Sequence, residues 1–292
     1  MPLDPPARPL AATHASTTGT STGPRRSRLV LAGDAALALT IAILAMGVRL
    51  AASADRRLRC APPARCVCGL HPPLCTGDVL LFSSDRPAIR YSLQCMWNHV
   101  GVAVVSPADG ATLGTHAGET LLWESNVAWG GLTRRDGDAP VDRLTGEVRD
   151  GTQLIDLRAK VGRYPGRVCV RRLRAPTVAA EAARHPRVAA GVCREAGRPF
   201  EDRSAFLAWI GLHAWRLVPV PPPAALRSRR GVFCSELAAI ALRDAGALRD
   251  DVDPARVLPR HLADGRAASH LLCDGWTLGD MEPLVPCAAL HR

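Results

Sequence analysis

Two apolar segments, far apart in the chain, each open with a reactive side chain. His99-Val-Gly-Val-Ala-Val-Val105 is a Val-rich run of strand length. Cys234-Ser-Glu-Leu-Ala-Ala-Ile-Ala-Leu242 has the length and composition of a buried helix. Segments this apolar call for burial, as in a sheet with helices packed against it. That requirement narrows the possible architectures and leaves an imidazole and a thiol at element starts. A helix N-terminus favours a thiolate, and a neighbouring imidazole can take the thiol proton.

The stretches around them from Thr76 onward fit the same plan. Val79-Leu-Leu-Phe-Ser83, Thr120-Leu-Leu-Trp-Glu-Ser125, Thr152-Gln-Leu-Ile-Asp-Leu157 and Arg167-Val-Cys-Val-Arg-Arg-Leu173 read as further strands. Pro87 to Met96 reads as one or two helical turns, Pro107-Ala-Asp-Gly110 as a turn, and residues 130–150 as a surface loop. Val178 to Ala196 has helical composition, with Pro186 predicted to kink or split it and Gly197-Arg-Pro-Phe200 to end it. Ala205 to Leu217 is another predicted helix, followed by a stiff Pro219–Pro223 turn; the Cys234 helix should stop near Gly246. The expected fold class is α+β: a small, mostly antiparallel sheet with packed helices and no internal repeat. If the strands opening at His99 and closing at Glu124 pair antiparallel, the start of one meets the end of the other, and a carboxylate comes near the imidazole.

The N-terminal quarter is different. Residues 1–28, rich in Pro, Thr, Ser and Gly, cannot bury enough surface to offset ordering and are expected to be a disordered tail. Leu29 to Val48 is apolar with one charge, Asp34. A helix of that length spans about 30 Å, the thickness of a bilayer core. A single membrane-spanning helix over 29–53 is the expectation, followed by a Cys-rich stalk over 54–75 and a domain over 76–292. A transit peptide or cleaved signal shares parts of this pattern, but the long leader and long apolar run argue against cleavage. Arg25, Arg26 and Arg28 precede the span; Arg49, Arg56, Arg57, Arg59 and Arg65 follow it. The imbalance leans weakly toward a cytoplasmic C-terminal domain.

The net charge of +10 does not imply nucleic acid. Arg accounts for all the basic residues except Lys160, and these are scattered without a block; with abundant Ala, Pro and Gly, this reads as coding bias. Aromatic residues are 4% of the chain and none sits in an RNA-binding signature, so no nucleic-acid partner is expected. Among the cysteines, Cys60, Cys66, Cys68 and Cys75 cluster with His71 but lack paired C-x-x-C spacing. Disulfides, zinc and plain surface thiols all remain open for that cluster. Cys95, Cys169 and Cys193 lie in apolar contexts and read as core.

Taken in order, Gly77-Asp-Val-Leu-Leu-Phe82, Asn98-His-Val-Gly-Val-Ala103, Leu122-Trp-Glu-Ser125, Gly197-Arg-Pro-Phe200 and Phe233-Cys-Ser-Glu-Leu237 resemble the permuted NlpC-like branch of the papain fold, the YaeF/YiiX-type amidases. A late Pro in Val257-Leu-Pro-Arg-His-Leu262 also fits, and the resemblance runs from about Thr76 to about Ala263. Papain-type enzymes place Cys before His; here the order is reversed, as in the circularly permuted relatives. The resemblance implies a circularly permuted papain-like fold and a thiol hydrolase. Cys234 would be the nucleophile, His99 the base and Glu124 the group orienting the imidazole, with the Cys234 N–H as oxyanion donor. It implies no metal and no organic cofactor.

Each residue also has a plainer reading: Cys234 as a small core residue, His99 as a satisfied buried histidine. Glu236 is expected to favour the helix dipole rather than take part in chemistry, and Asp78 to hold a turn. Trp97 and Trp123 either line an acyl pocket or belong to the core. The expected function is a membrane-anchored cysteine hydrolase working through a thioester, acting on a lipid, lipidated or peptide amide or ester. The alternatives are a catalytically inert papain-fold module binding a lipid or peptide at a membrane, and a structural membrane protein with a Cys-rich stalk.

Overall fold

The computed structural model describes residues 65–66, 73–84, 96–107, 113, 115–126, 140–201 and 231–285. The tail over 1–28, the membrane helix over 29–53, most of the stalk, Cys95, the turns over 87–95, and the helix over 205–217 with its Pro-rich turn all lie outside the described residues. Among the described residues no helix is long and apolar enough to cross a membrane.

The fold is α+β. Six strands pair antiparallel in one sheet: β2 (Val79–Ser84), β3 (His99–Val105), β4 (Thr120–Asn126), β5 (Gly151–Asp156), β6 (Gly166–Arg174) and β7 (Thr277–Val285). A two-residue strand, β1 (Arg65–Cys66), joins β7 in parallel, and the order is β1-β7-β6-β2-β3-β4-β5. The helices are α1 (Leu157–Arg163), α2 (Val178–Arg194), α3 (Cys234–Asp244), α4 (Pro259–Ala263) and α5 (Gly265–Leu271), with a 3-10 turn at Pro254–Arg256.

The central strands are apolar without alternation because both faces of the sheet are covered. Val79, Leu81, Val102 and Trp123 point into the larger core, shared with Val188 and Val192 of α2 and Leu237 and Leu242 of α3. Leu80, Phe82, Ala103 and Leu122 point the other way, into a smaller cluster closed by Leu157 and Val161 of α1. Each fully buried Leu contributes about 1.5–3 kcal/mol. The helix ends follow local chemistry. The Asp156 carboxylate accepts the Ala159 N–H at 2.7 Å to start α1, and the Thr177 hydroxyl accepts that of Ala180 at 3.1 Å to start α2. α3 stops before Gly246, whose φ of 79° turns the Ala247 N–H back onto the Leu242 carbonyl at 2.8 Å.

Several expectations need correction. α2 runs unbroken through Pro186. The missing N–H costs one helical bond, about 3 kcal/mol in an isolated helix, and burial of Val188 and Val192 just beyond it holds the helix together. Cys193 is exposed, not core: it follows Val192 and so turns off the buried face of α2. Leu157 starts α1 instead of ending β5. The expected surface loop is pinned where described, because Asp142 is buried and its carboxylate accepts the Leu154 N–H at 2.9 Å. Strand β7 was not expected at all, since Asp280, Glu282 and Pro283 interrupt its apolar pattern.

Candidate active site

Glu124 and His99 lie on the sheet face that α1 covers. The β3–β4 register pairs Val102 with Trp123 and Ala103 with Leu122. One step further sets Gly101 opposite Glu124, and two residues before Gly101 on the same face is His99. The His99 Nε2 lies 2.6 Å from the Glu124 Oε2. Trp123, one residue before Glu124, turns to the opposite face and is core, 2% exposed; Trp97 is buried in the same large cluster. Phe82 lies beside the imidazole, with ring centroids 5.3 Å apart.

Cys234 belongs to the other layer. It is the first residue of α3, half-buried, and packs at the margin of the larger core. It lies near enough to His99 for its charge and side chain to be among the causes that raise the imidazole pKa. With Nε2 engaged by Glu124, Nδ1 is the ring nitrogen left for the sulfur. The α3 start and the β3 start are therefore neighbours at one end of the sheet, with Cys234 packed on the larger core and His99 on the face that α1 covers.

The approach to Cys234 is held from three sides. The Ser125 hydroxyl donates to the Val232 carbonyl at 2.7 Å, Val232 N–H donates to Pro199 O at 3.0 Å, and the Arg198 guanidinium donates to Gly231 O at 2.9 Å. The Gly197–Phe200 motif thus clamps the segment leading into the nucleophile helix. A Cβ on Gly231 would lie 2.4 Å from the Glu201 Cα, and one on Gly151 would lie 2.2 Å from the Arg198 carbonyl. Both glycines let the clamp close.

Glu124 is completely buried and accepts from four side chains. Besides His99 these are Lys160 Nζ at 2.7 Å, Gln153 Nε2 at 2.9 Å and Asn126 Nδ2 at 3.3 Å, all on Oε1. Burial alone would raise the pKa of such a carboxyl, but the Lys160 and His99 charges outweigh it and hold Glu124 well below the usual carboxylate range. For His99, burial pushes the pKa down, while the charges and hydrogen bonds of Glu124 and Cys234 carry it up from 6.5 to about 9. The arrangement favours an imidazolium beside sulfur, backed by a carboxylate that keeps its charge.

Neither Glu236 nor Asp78 joins this array. Glu236 lies in the first turn of α3, 3.8 Å from Arg198. Burial pushes its carboxyl up to about 7 against the pull of Arg198. Asp78 accepts the N–H groups of Cys75 at 2.9 Å and Leu173 at 2.9 Å, so it ties the first turn to β6. Cys75 is an exposed free thiol, and among the described residues no group of three His, Cys, Asp or Glu is placed to hold a metal ion.

Sequence reasoning missed Gln153, Asn126 and Lys160. Gln153 left a trace as the one amide in the apolar run Leu154-Ile155 extends, and it stands directly opposite Glu124 across β4 and β5. Lys160 left a stronger one, as the single lysine of an Arg-rich chain. No protein-family model matches this sequence, and no curated protein matches it either.

Proposed function

We propose that this protein is a cysteine hydrolase that cleaves an amide or ester through a thioester on Cys234. The observation that carries the reading is the 2.6 Å bond from the buried Glu124 carboxylate to His99, with the Cys234 side chain at a helix start close enough to act on the imidazole. Cys234 sulfur attacks the acyl carbon while His99 holds the thiol proton. The imidazolium then protonates the departing amine or alcohol, leaving the acyl group on sulfur. Water attacks the thioester with His99 as base, and the acid leaves as sulfur recovers its proton. Glu124 keeps the imidazole turned and supports its charge throughout. The Cys234 N–H, at the start of α3, is the natural donor to the oxyanion.

His99 preceding Cys234 in the chain, with both on one sheet-and-helix core, favours the circularly permuted papain-like arrangement. The apolar Leu29–Val48 run favours a single-pass anchor, and hence a lipid, lipidated or peptide substrate at a membrane surface. The test is exposure of the full chain to acyl probes carrying lipid, peptidyl and ubiquitin groups, followed by mapping of the adduct. An acyl group on Cys234 that hydroxylamine removes is the expected result. Binding of a probe with no adduct on Cys234 from any donor would replace the enzyme with an inert binding module.

A further inference from the structure

We infer that Lys160 is a positioning residue of this site: its ammonium keeps Glu124 ionised, and through Glu124 it sets which nitrogen of His99 carries the proton. The inference rests on the hydrolase reading for its catalytic consequence, but not for its test. The two oxygens of Glu124 are divided. Oε2 serves His99 at 2.6 Å, and Oε1 takes Lys160 at 2.7 Å together with Gln153 and Asn126. Glu124 is fully buried and the Lys160 side chain only 11% exposed, so water does little to screen the pair.

The tautomer follows from the charge on Glu124. An ionised carboxylate can only accept, so Nε2 keeps its hydrogen; when the imidazolium gives up a proton it does so from Nδ1, which then presents a lone pair. A protonated Glu124 would instead donate to Nε2. The neutral ring would then carry its hydrogen on Nδ1, facing sulfur, where it cannot take the thiol proton. Burial drives Glu124 toward that wrong state, and the charge that opposes it most strongly is that of Lys160, ahead of His99.

The choice of lysine fits the geometry. All the other basic residues of the chain are arginine. A guanidinium grips a carboxylate with a two-pronged fork and would compete for the oxygen that His99 needs. An ammonium is a point charge that occupies one oxygen and leaves the other. Lys160 also lies 5.7 Å from the centroid of the Phe82 ring, which is tilted against the His99 ring. The groups facing Glu124 are thus Lys160 from α1, His99 from β3, Asn126 from β4 and Gln153 from β5, while Cys234 of α3 faces His99.

The test compares Lys160→Met, Lys160→Gln and Lys160→Arg in the full chain, with two readouts that need no substrate. One is the rate of Cys234 alkylation by chloroacetamide against pH. The other is the His99 tautomer and titration, read from ring ¹⁵N shifts in histidine-labelled protein. Loss of the charge should move the acid limb of the alkylation profile up by about 1–3 pH units, the span an opposite charge at this range typically controls. Neutral His99 should shift from the Nε2–H toward the Nδ1–H form. Lys160→Arg keeps the charge and should keep the wild-type limb, with a lower plateau rate. If Lys160→Met does not fold, Lys160→Gln against Lys160→Arg isolates the charge with a hydrogen bond retained in both. A folded Lys160→Gln protein with the wild-type limb and the wild-type tautomer overturns the inference. Failure of the hydrolase reading looks different: wild-type Cys234 never acquires an acyl group, whatever the imidazole spectra show.

Discussion

The two faces of the sheet are built on opposite principles. The face beneath α2 and α3 is a broad apolar core in which Trp123, Leu237 and Leu242 are almost or fully buried, and it holds the protein together by excluded water. The face beneath α1 is smaller and carries a fully buried carboxylate with four donors around it. Burying charges costs several kcal/mol per ion before pairing, so this second face gives up stability to hold Glu124 in one protonation state. The candidate site lies where the faces meet, with sulfur supplied by the stable layer and the proton-handling groups by the polar one. Rigidity and chemistry are thus separable, and substitutions on the two faces should fail in different ways.

Cys234→Ala should be the most severe for turnover, a loss on the order of 10⁶-fold, with a thermal midpoint close to wild type, because the side chain is small and only partly buried. Steady-state rates on the first substrate identified, with a parallel melt, check both halves. Glu124→Gln should lower turnover on the order of 10⁴-fold, since an amide admits the wrong imidazole tautomer. It should also destabilise by roughly 3–5 kcal/mol, because the Lys160 charge is left buried without its partner. Denaturant titration beside kinetics decides whether the polar face couples the two properties as argued.

Leu242→Ala breaks the other face. It should cost about 2–5 kcal/mol in the same titration while leaving the alkylation rate of Cys234 in the folded protein unchanged. A large drop in that rate would mean the layers are not separable. The smallest effect concerns pH. The folded state holds the Glu236 proton more tightly than the unfolded state does, up to about 7 against an ordinary 4.5. Its contribution to stability is therefore lost as pH rises from 4.5 through 7. Glu236→Gln should flatten that decline and raise the midpoint at pH 8, as thermal melts across the pH range would show. His99 acts over a higher window: the stability it gains from its partners is complete below 6.5 and lost as pH rises through about 9. That second decline should survive Glu236→Gln and vanish in His99→Gln.

Much of the apolar layer was legible along the chain. Five strand runs and the Cys234 helix are recognisable because strands covered on both faces are apolar throughout. The clamp motif Gly197–Phe200 was recognisable as a break, though not as the partner of Val232. β7 was hidden because its residues are mostly half-exposed and its strand form comes from pairing with β6 and β1. Pro186 misled because an isolated helix would suffer from it, whereas a helix packed along one face can lose a bond and continue.

Legible in the chain alone were the reactive residue types, the strand start at His99, the strand end near Glu124 and the helix start at Cys234. Their local apolar contexts force those elements to form, and pairing two adjacent strands is enough to bring His99 near Glu124. What depends on the assembled fold is that Lys160, Gln153 and Asn126 gather on one oxygen of Glu124, and that the Cys234 helix packs on the opposite face of the sheet yet starts near His99. Those contacts depend on β4–β5 register, on α1 folding back over β4, and on which side of the sheet each helix packs. No local pattern encodes them, because a side chain's burial and charge partners are set by segments remote in the chain.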